Sequence, residues 1–137
     1  MKRRKIPTRS RGQRGQSLLE TAMMIVIIFT VVFWIFELGW LMYTYSVMAN
    51  AANEGVRYAI VHSGGDPSGT AARVKTFAAT SLHDVSAIKV DVTAPDGGYV
   101  PPSLVRVKVT YTYVPWLSKF ISTPTMTTYS EGRMIVN

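Results

Sequence analysis

Residues 15–36 of this chain read Gly-Gln-Ser-Leu-Leu-Glu-Thr-Ala-Met-Met-Ile-Val-Ile-Ile-Phe-Thr-Val-Val-Phe-Trp-Ile-Phe. No charged residue lies between Glu20 and Glu37. A helix of about 20 apolar residues rises roughly 30 Å, which matches the hydrocarbon thickness of a bilayer. The stretch therefore predicts one membrane span over about residues 17–36. Glu20 is unusual there, because a carboxylate at the edge of hydrocarbon is energetically costly.

The positive charge of the chain lies before that stretch. The sequence has 15 Lys and Arg against 8 Asp and Glu, a net charge of +7. The basic residues that precede Gln16 are Lys2, Arg3, Arg4, Lys5, Arg9, Arg11 and Arg14, and the remainder of the chain is neutral. A nucleic-acid-binding protein needs its positive charge on a folded face, so we expect no direct nucleic-acid partner. The positive-inside rule instead predicts a cytoplasmic N-terminus and a C-terminal part on the other side of the membrane.

A cleaved secretory signal peptide is the competing interpretation of the N-terminus. The apolar run is longer than an ordinary signal-peptide core, and no Ala-x-Ala cleavage site follows it at residues 37–45. We therefore expect the span to stay in the mature protein. The sequence contains no cysteine, which excludes disulfides and thiol chemistry but leaves the compartment open.

The rest of the chain predicts an α+β fold. Residues 1–15 have no apolar period and should be a disordered leader. One helix should run from about Ser17 to about Val61, because apolar residues continue at helical spacing beyond Glu37. The glycines and the proline of residues 63–69 end it.

A short amphipathic helix is then expected at residues 70–82, and strands at 88–92, 104–113 and about 125–135. The predicted architecture is a long N-terminal helix, transmembrane in its first half, with the short helix and a small antiparallel sheet packed on its second half. The predicted domains are a leader (1–15), a helix (16–62) and an α+β domain (63–137).

The second half of the long helix carries a cluster of small residues. Glu54 and Arg57 are spaced to form an ordinary surface ion pair. Gly55 indicates more, because glycine inside a helix costs about 1 kcal/mol relative to alanine and usually marks close packing. With Ala51, Ala52 and Ala59 it forms a surface on which the sheet or another helix can lie close. We interpret this segment as a structural site.

No residue pattern indicates a metal, a cofactor or an enzyme. His62 and His83 have no further ligands at recognisable spacing, and no nucleophile, base and acid stand in a known arrangement. Trp34, Trp40, Tyr43 and Tyr45 are typical of the aromatic belt at the outer membrane interface.

Two later segments stay open at this stage. The tyrosines at residues 111–113 suit either an exposed adhesive surface or ordinary strand packing. The apolar loop at residues 115–122 has no assigned position.

Two motifs resemble a known family. Gly15-Gln16-Ser17-Leu18-Leu19-Glu20 before an apolar run is similar to the processing site of type IV prepilins. Residues 50–59, Asn-Ala-Ala-Asn-Glu-Gly-Val-Arg-Tyr-Ala, resemble the Ala-Ala-Arg-Glu-Gly-Ala-Arg-Tyr-Ala signature of TadE-like pseudopilins from tight-adherence (Tad/Flp) pilus systems. Asn53 stands where the signature has arginine, and Gln16 stands where many type IV pilins have phenylalanine.

The resemblance implies a minor pilin that a prepilin peptidase cleaves after Gly15. Glu20, then the fifth residue, would pair with the new amine at Gln16 of a neighbouring subunit. The family signature on the helix would comprise Ala51, Ala52, Glu54, Gly55, Arg57 and Tyr58. The implied partners are the prepilin peptidase, sister pseudopilins, the major pilin, the inner-membrane assembly platform and membrane lipid.

The implied location is the bacterial inner membrane, crossed once, with a periplasmic C-terminus and incorporation into an extracellular pilus as a further step. The alternative hypothesis is an uncleaved, signal-anchored periplasmic domain that binds a ligand or chaperones another protein.

Overall fold

The computed structural model describes residues 11–62, 64, 66–82, 84–116, 118–119 and 122–135, with side chains from residue 15 onward. Within these residues the protein has two helices, α1 (Arg11–Ala59) and α2 (Pro67–Ala79), and three strands, β1 (Ile88–Thr93), β2 (Leu104–Thr112) and β3 (Thr125–Arg133). The predicted α+β class, with its long N-terminal helix, short second helix and antiparallel sheet, is confirmed. Residues 1–10 of the expected leader and His83 lie outside the described residues.

The chain divides into two compact units, Met1–Leu38 and Gly39–Asn137, here called unit 1 and unit 2. In its described part, unit 1 is the first portion of α1, and every side chain from Gly15 to Phe36 is exposed. The helical stretch Gly15–Ala59 is long and apolar enough to cross a membrane, with a mean hydropathy of 2.4 over its best window. This apolar N-terminal helix fits a single-pass membrane anchor.

Helix α1 begins earlier than the sequence predicts. It includes Arg11 to Gly15, which we expected to belong to a disordered leader. Arginine and glutamine are good helix formers, and the nearest preceding proline is Pro7, so the helix continues backwards from the apolar run. At the other end, the amides of Val61 and His62 bond to the carbonyls of Tyr58 and Ala59, three residues back, and these tighter turns end the helix.

Helix α2 is displaced towards the N-terminus from the predicted residues 70–82. It begins at Pro67, whose fixed φ suits the first helical position. Its N-terminal cap is Asp66, whose side chain accepts a hydrogen bond from the amide of Gly69. Leu82 lies beyond the last helical residue but is still buried, so the apolar period correctly predicts burial and misplaces the helix end.

The described strands form an antiparallel sheet in the order β1-β2-β3. In its register, Val109 of β2 lies opposite Val90 of β1 and Thr128 of β3. Val105, Val107 and Val109 are fully buried and alternate with exposed Arg106 and Lys108, which is the period of a strand with one face on the core. The core of unit 2 combines these valines with the small and apolar residues of α1 and α2.

Candidate functional site

The candidate site is the signature segment, residues 50–59 of α1. Ala51, Ala52 and Gly55 are buried within unit 2, whereas Arg57 is exposed. Residues three and four positions apart on a helix share a face, so the small residues form one surface that points into the core. The segment therefore presents a close-packing face on one side and polar groups beside it.

Gly55 lies where α2 and β2 both approach the helix. A Cβ atom at this position would stand 2.5 Å from Cγ2 of Val74 on α2 and 3.2 Å from Cγ1 of Val107 on β2. A distance of 2.5 Å is far below van der Waals contact, and valine side chains have little rotamer freedom with which to move away. Both the second helix and the sheet thus depend on the missing side chain of Gly55.

A second glycine completes this packing from the side of the sheet. A Cβ atom on Gly132 of β3 would stand 2.5 Å from Cγ1 of Val56 and 3.0 Å from Cγ2 of Ile60. Gly132 was not predicted as a site residue from the sequence. The available signal was a glycine inside an alternating strand pattern, which often marks a close approach of another backbone.

Glu54 pairs with α2 rather than with Arg57. Its Oε1 accepts hydrogen bonds from Nε and Nη2 of Arg73, at 3.0 Å and 2.7 Å. The expected Glu54–Arg57 pair is therefore wrong, because Arg73 brings two donors of its planar group to the same oxygen. The two side chains are 24% and 53% exposed, so the ion pair contributes at most about 1 kcal/mol and mainly orients α2.

Tyr58 contacts the cap of α2. Its hydroxyl donates to Oδ2 of Asp66 at 3.2 Å, while Oδ1 of Asp66 accepts from the amide of Gly69 at 3.1 Å and the hydroxyl of Ser68 at 3.0 Å. These donors, first the Gly69 amide and then Ser68, lower the pKa of the Asp66 carboxyl from its ordinary value of 3.8. The ring of His62 stacks on Tyr58 with centroids 3.7 Å apart.

Asn53, which replaces the arginine of the signature, contacts the sheet. Its Oδ1 accepts a hydrogen bond from the hydroxyl of Ser130 on β3 at 2.6 Å. Among the described residues, no group of three or more His, Cys, Asp or Glu side chains is placed to hold a metal ion. The site is therefore a junction in which α1 holds α2, β2 and β3 through neighbouring residues.

The residues of the predicted processing site lie on unit 1. Gly15, Gln16 and Glu20 are exposed on α1, and a Cβ on Gly15 would meet no atom within 4 Å. Of the tyrosines considered for an adhesive surface, Tyr113 is buried and Tyr111 is half-buried, so strand packing explains them. Tyr129 on β3 is the exposed tyrosine of the sheet, lying beside the guanidinium of Arg106.

A family model described as "TadE-like protein" matches residues 15–57. This segment of the chain is TadE-like. The match begins at Gly15 and ends at Arg57, so it includes the first motif and most of the second, up to Arg57, and confirms the resemblance inferred from them. The match covers less than half of the chain and shows that this segment is similar to TadE-like proteins. No curated protein and no solved structure matches the chain.

Filling the position of Gly55 should destabilise unit 2. We expect Gly55→Val to lower the free energy of unfolding by about 1–3 kcal/mol, because the new methyl groups overlap Val74 and Val107. The measurement is urea denaturation of the full chain in mild detergent, followed by circular dichroism. Gly39→Val is the matched control, since Gly39 lies on the same helix with nothing within 4 Å of its Cβ position. Equal effects at the two positions would contradict the packing argument.

The cap of α2 should make stability depend on pH in the acidic range. Because the folded-state pKa of Asp66 lies below 3.8, its stabilisation is complete above that pH and is lost as pH falls through the folded-state pKa. Asp66→Asn keeps a capping oxygen, tolerates the left-handed φ of 32° and does not titrate.

We expect this variant to melt below the unmodified protein at pH 6 and to approach it at pH 2. Thermal unfolding by circular dichroism measures both profiles. The pKa of Asp84 is also lowered, through its hydrogen bonds with Ser86. Because Asp84 is present in both proteins, its effect cancels in the difference between their melting temperatures. A difference in melting temperature that stays constant from pH 6 to pH 2 would refute the assignment.

Proposed function

We propose that the protein is a minor pilin or pseudopilin of a Tad/Flp type IV pilus, processed after Gly15 and contributing to pilus assembly, adhesion or secretion. The observation that carries the proposal is the start of the TadE-like match at Gly15, directly before an exposed apolar helix. Within that helix Glu20 is the one acidic residue between Gly15 and Phe36. A glycine, a carboxylate five residues later and an apolar run are what the pilin pathway requires.

Gly15 lowers the cost of the unwinding that proteolysis would need. A protease binds its substrate in an extended conformation, whereas Gly15 and Gln16 lie in the first turns of α1. Glycine weakens a helix by about 1 kcal/mol relative to alanine, so these turns open easily. The lack of atoms near Gly15 means that unwinding there breaks no side-chain packing. Cleavage would also remove the basic leader, whose charges oppose extraction of the subunit from the membrane.

Glu20 supplies the proposed register between subunits. Cleavage creates an ammonium at Gln16, four residues and roughly 6 Å of helical rise before Glu20. An ammonium and a carboxylate are each costly beside hydrocarbon. Pairing Glu20 of one subunit with the amine of its neighbour offsets both costs and fixes the axial position of one helix against the next.

The proposed arrangement places the leader in the cytoplasm and unit 2 in the periplasm of a bacterium. The partners would be the prepilin peptidase, sister pseudopilins with the major pilin, and the inner-membrane assembly platform. Arg57 supports a role in contacts with other subunits, because it belongs to the signature segment and is exposed while its neighbours contact α2 and the sheet.

The alternative is an uncleaved, signal-anchored periplasmic domain that binds a ligand or chaperones another protein. Two observations favour it. Helix α1 continues through Gly15 without interruption, and unit 2 has its own core with an exposed sheet face around Arg106, Lys108 and Tyr129. Under this alternative the chain keeps its N-terminus whether or not a peptidase is present.

A bulky residue at Gly15 should block processing. In cells that contain the prepilin peptidase we expect the native chain to begin at Gln16 and the Gly15→Leu variant to remain a full-length precursor, because leucine obstructs close approach of the protease to the backbone. Intact mass and N-terminal sequencing of the membrane fraction measure this, with a peptidase-deficient strain for comparison. Gly39→Leu, at another open glycine of α1, should be cleaved normally. A native chain that still begins at Met1 in both strains would favour the anchored alternative, and cleavage of Gly15→Leu before Gln16 would show that processing does not depend on Gly15.

Removing the charge of Glu20 should separate processing from assembly. We expect Glu20→Gln to be cleaved normally but to appear in sheared pili at roughly one tenth of the native amount or less, because an ammonium left unpaired at hydrocarbon costs more than 1 kcal/mol. Quantitative immunoblotting of sheared pili against membranes gives the ratio. Glu37→Gln is the matched control at the far end of the apolar run. Native-like incorporation of Glu20→Gln would remove the pairing from the proposal.

A further inference from the structure

An exposed tryptophan protrudes from the connection between β2 and β3. Trp116 is 88% exposed and its neighbour Val114 is 62% exposed, whereas Pro115 between them is buried. Burial of the apolar surface of a large indole is favourable in free energy, and an indole exposed to water lacks that stabilisation. Tryptophan is also the residue most typical of the layer where hydrocarbon meets headgroups. The function proposed above does not use this side chain.

The contacts of β3 show at which end of unit 2 this connection lies. Ser130 bonds to Asn53, and further along the strand Gly132 lies against Val56 and Ile60. The strand therefore runs in the same direction as the second half of α1. Its first residue, Thr125, must lie towards the beginning of that half.

The rise per residue of a strand and of a helix gives the position of Thr125 along α1. The strand extends roughly 17 Å from Ser130 back to Thr125. Ser130 contacts Asn53, and roughly 17 Å of α-helix is about 11 residues, counted from Asn53 towards the N-terminus. Thr125 thus lies near the level of Met42. Because Thr112 pairs with Thr125, the described residues between these two positions (113–116, 118–119 and 122–124) lie at the end of unit 2 that contains Met42.

The same level of α1 carries the predicted aromatic belt. Trp40, Met42 and Tyr43 are all exposed, and the rings of Trp40 and Tyr43 lie 5.6 Å apart. In the sequence, the apolar run ends at Phe36, four residues before Trp40. Lys119 in the loop is exposed, and Asp84 reaches the same end because Ile88 pairs with Tyr111. These opposite charges balance, so apolar contact carries the interaction.

We propose that Trp116 and Val114 bind the headgroup layer of the bilayer that α1 spans. The occupant of this surface is membrane lipid, and the inference rests on the membrane anchorage in the proposed function. Contact of the loop with lipid would fix the orientation of unit 2 at the membrane surface before any assembly with other subunits. It also explains an apolar loop to which the sequence alone assigned no position.

The test is the depth of single tryptophans in the full-length chain. The sequence has three tryptophans, so the double variant Trp34→Phe/Trp40→Phe leaves Trp116 as reporter, and Trp40→Phe/Trp116→Phe leaves Trp34. Each protein is reconstituted at high dilution into vesicles of phosphatidylethanolamine and phosphatidylglycerol. Quenching by lipids brominated near the headgroup, and by lipids brominated at the bilayer centre, is compared with quenching by acrylamide in water.

Val100 supplies a matched control at the other end of unit 2. It is an exposed apolar residue in the β1–β2 connection, which lies near Ile60 because the carbonyl of Ser103 accepts from the amide of Met134 and the carbonyl of Ile60 accepts from Ile135. Val100→Trp in a chain with Phe at the three native tryptophan positions gives an indole of similar exposure away from the membrane.

We expect headgroup-level bromine to remove roughly half of the Trp116 emission, as for an interfacial indole, and to leave the Val100→Trp emission unchanged. Trp34, two residues before the end of the apolar run, should be quenched by bromine near the headgroup more strongly than by bromine at the bilayer centre. If Trp34 is quenched but Trp116 behaves like the Val100→Trp indole, the lipid contact is refuted while the anchor stands. If neither native tryptophan is quenched by lipid, the anchor and the contact both fail. Protection of Trp116 from acrylamide only at high protein density would assign the surface to a second copy and refute lipid.

Discussion

The fold of unit 2 depends on how closely α1 is approached at Gly55. Val74 of α2 and Val107 of β2 both occupy the space that a side chain would fill, so a single position sets the distance from the helix to two other elements. Gly132 performs the complementary function on β3, against Val56 and Ile60. Two glycines on facing surfaces bring the backbones together, and the buried valines then fill the remaining volume at normal packing density.

The TadE-like match ends inside α1, yet its last residues hold the other elements of unit 2. The match stops at Arg57, before α2 and every strand begin. Yet Asn53, Glu54 and Gly55, which it includes, contact β3, α2 and β2 in turn. The segment thus carries the helix side of each of these contacts.

Patterns within one element were sufficient for much of the fold. The three strands follow from alternation of apolar and polar residues, and the long helix follows from its apolar period. The predictions that failed involve partners from other elements. Arg57 is the local partner of Glu54 by spacing, but Arg73 from α2 offers two aligned donors. The start of α2 was missed because the capping by Asp66 depends on a left-handed backbone conformation that no period reveals.

Of the candidate site, too, one part was predictable from a pattern within one element and another part was not. Close packing at Gly55 was predictable, because a glycine inside a helix has an energetic cost that needs a reason. Gly132 was not identified, because a strand pattern does not show which face meets a helix. For Gly15 and Glu20 the structure shows exposure and nothing more, since the groups that would act on them belong to a protease and to neighbouring subunits.

The exposed apolar side chains of α1 must be buried for the protein to function, because leaving them in water is costly in free energy. Each large apolar side chain from Leu18 to Phe36 would gain roughly 1.5–3 kcal/mol on leaving water, so the whole stretch represents tens of kcal/mol. A folded domain is stable by only about 5–15 kcal/mol. Burial of these side chains therefore cannot be a minor adjustment of unit 2, whose core is already formed without them. It has to come from lipid or from other apolar helices. In the proposed filament, other apolar helices would replace lipid around α1, and a carboxylate such as Glu20 would tolerate that exchange only if the new environment supplied an opposite charge at the same depth.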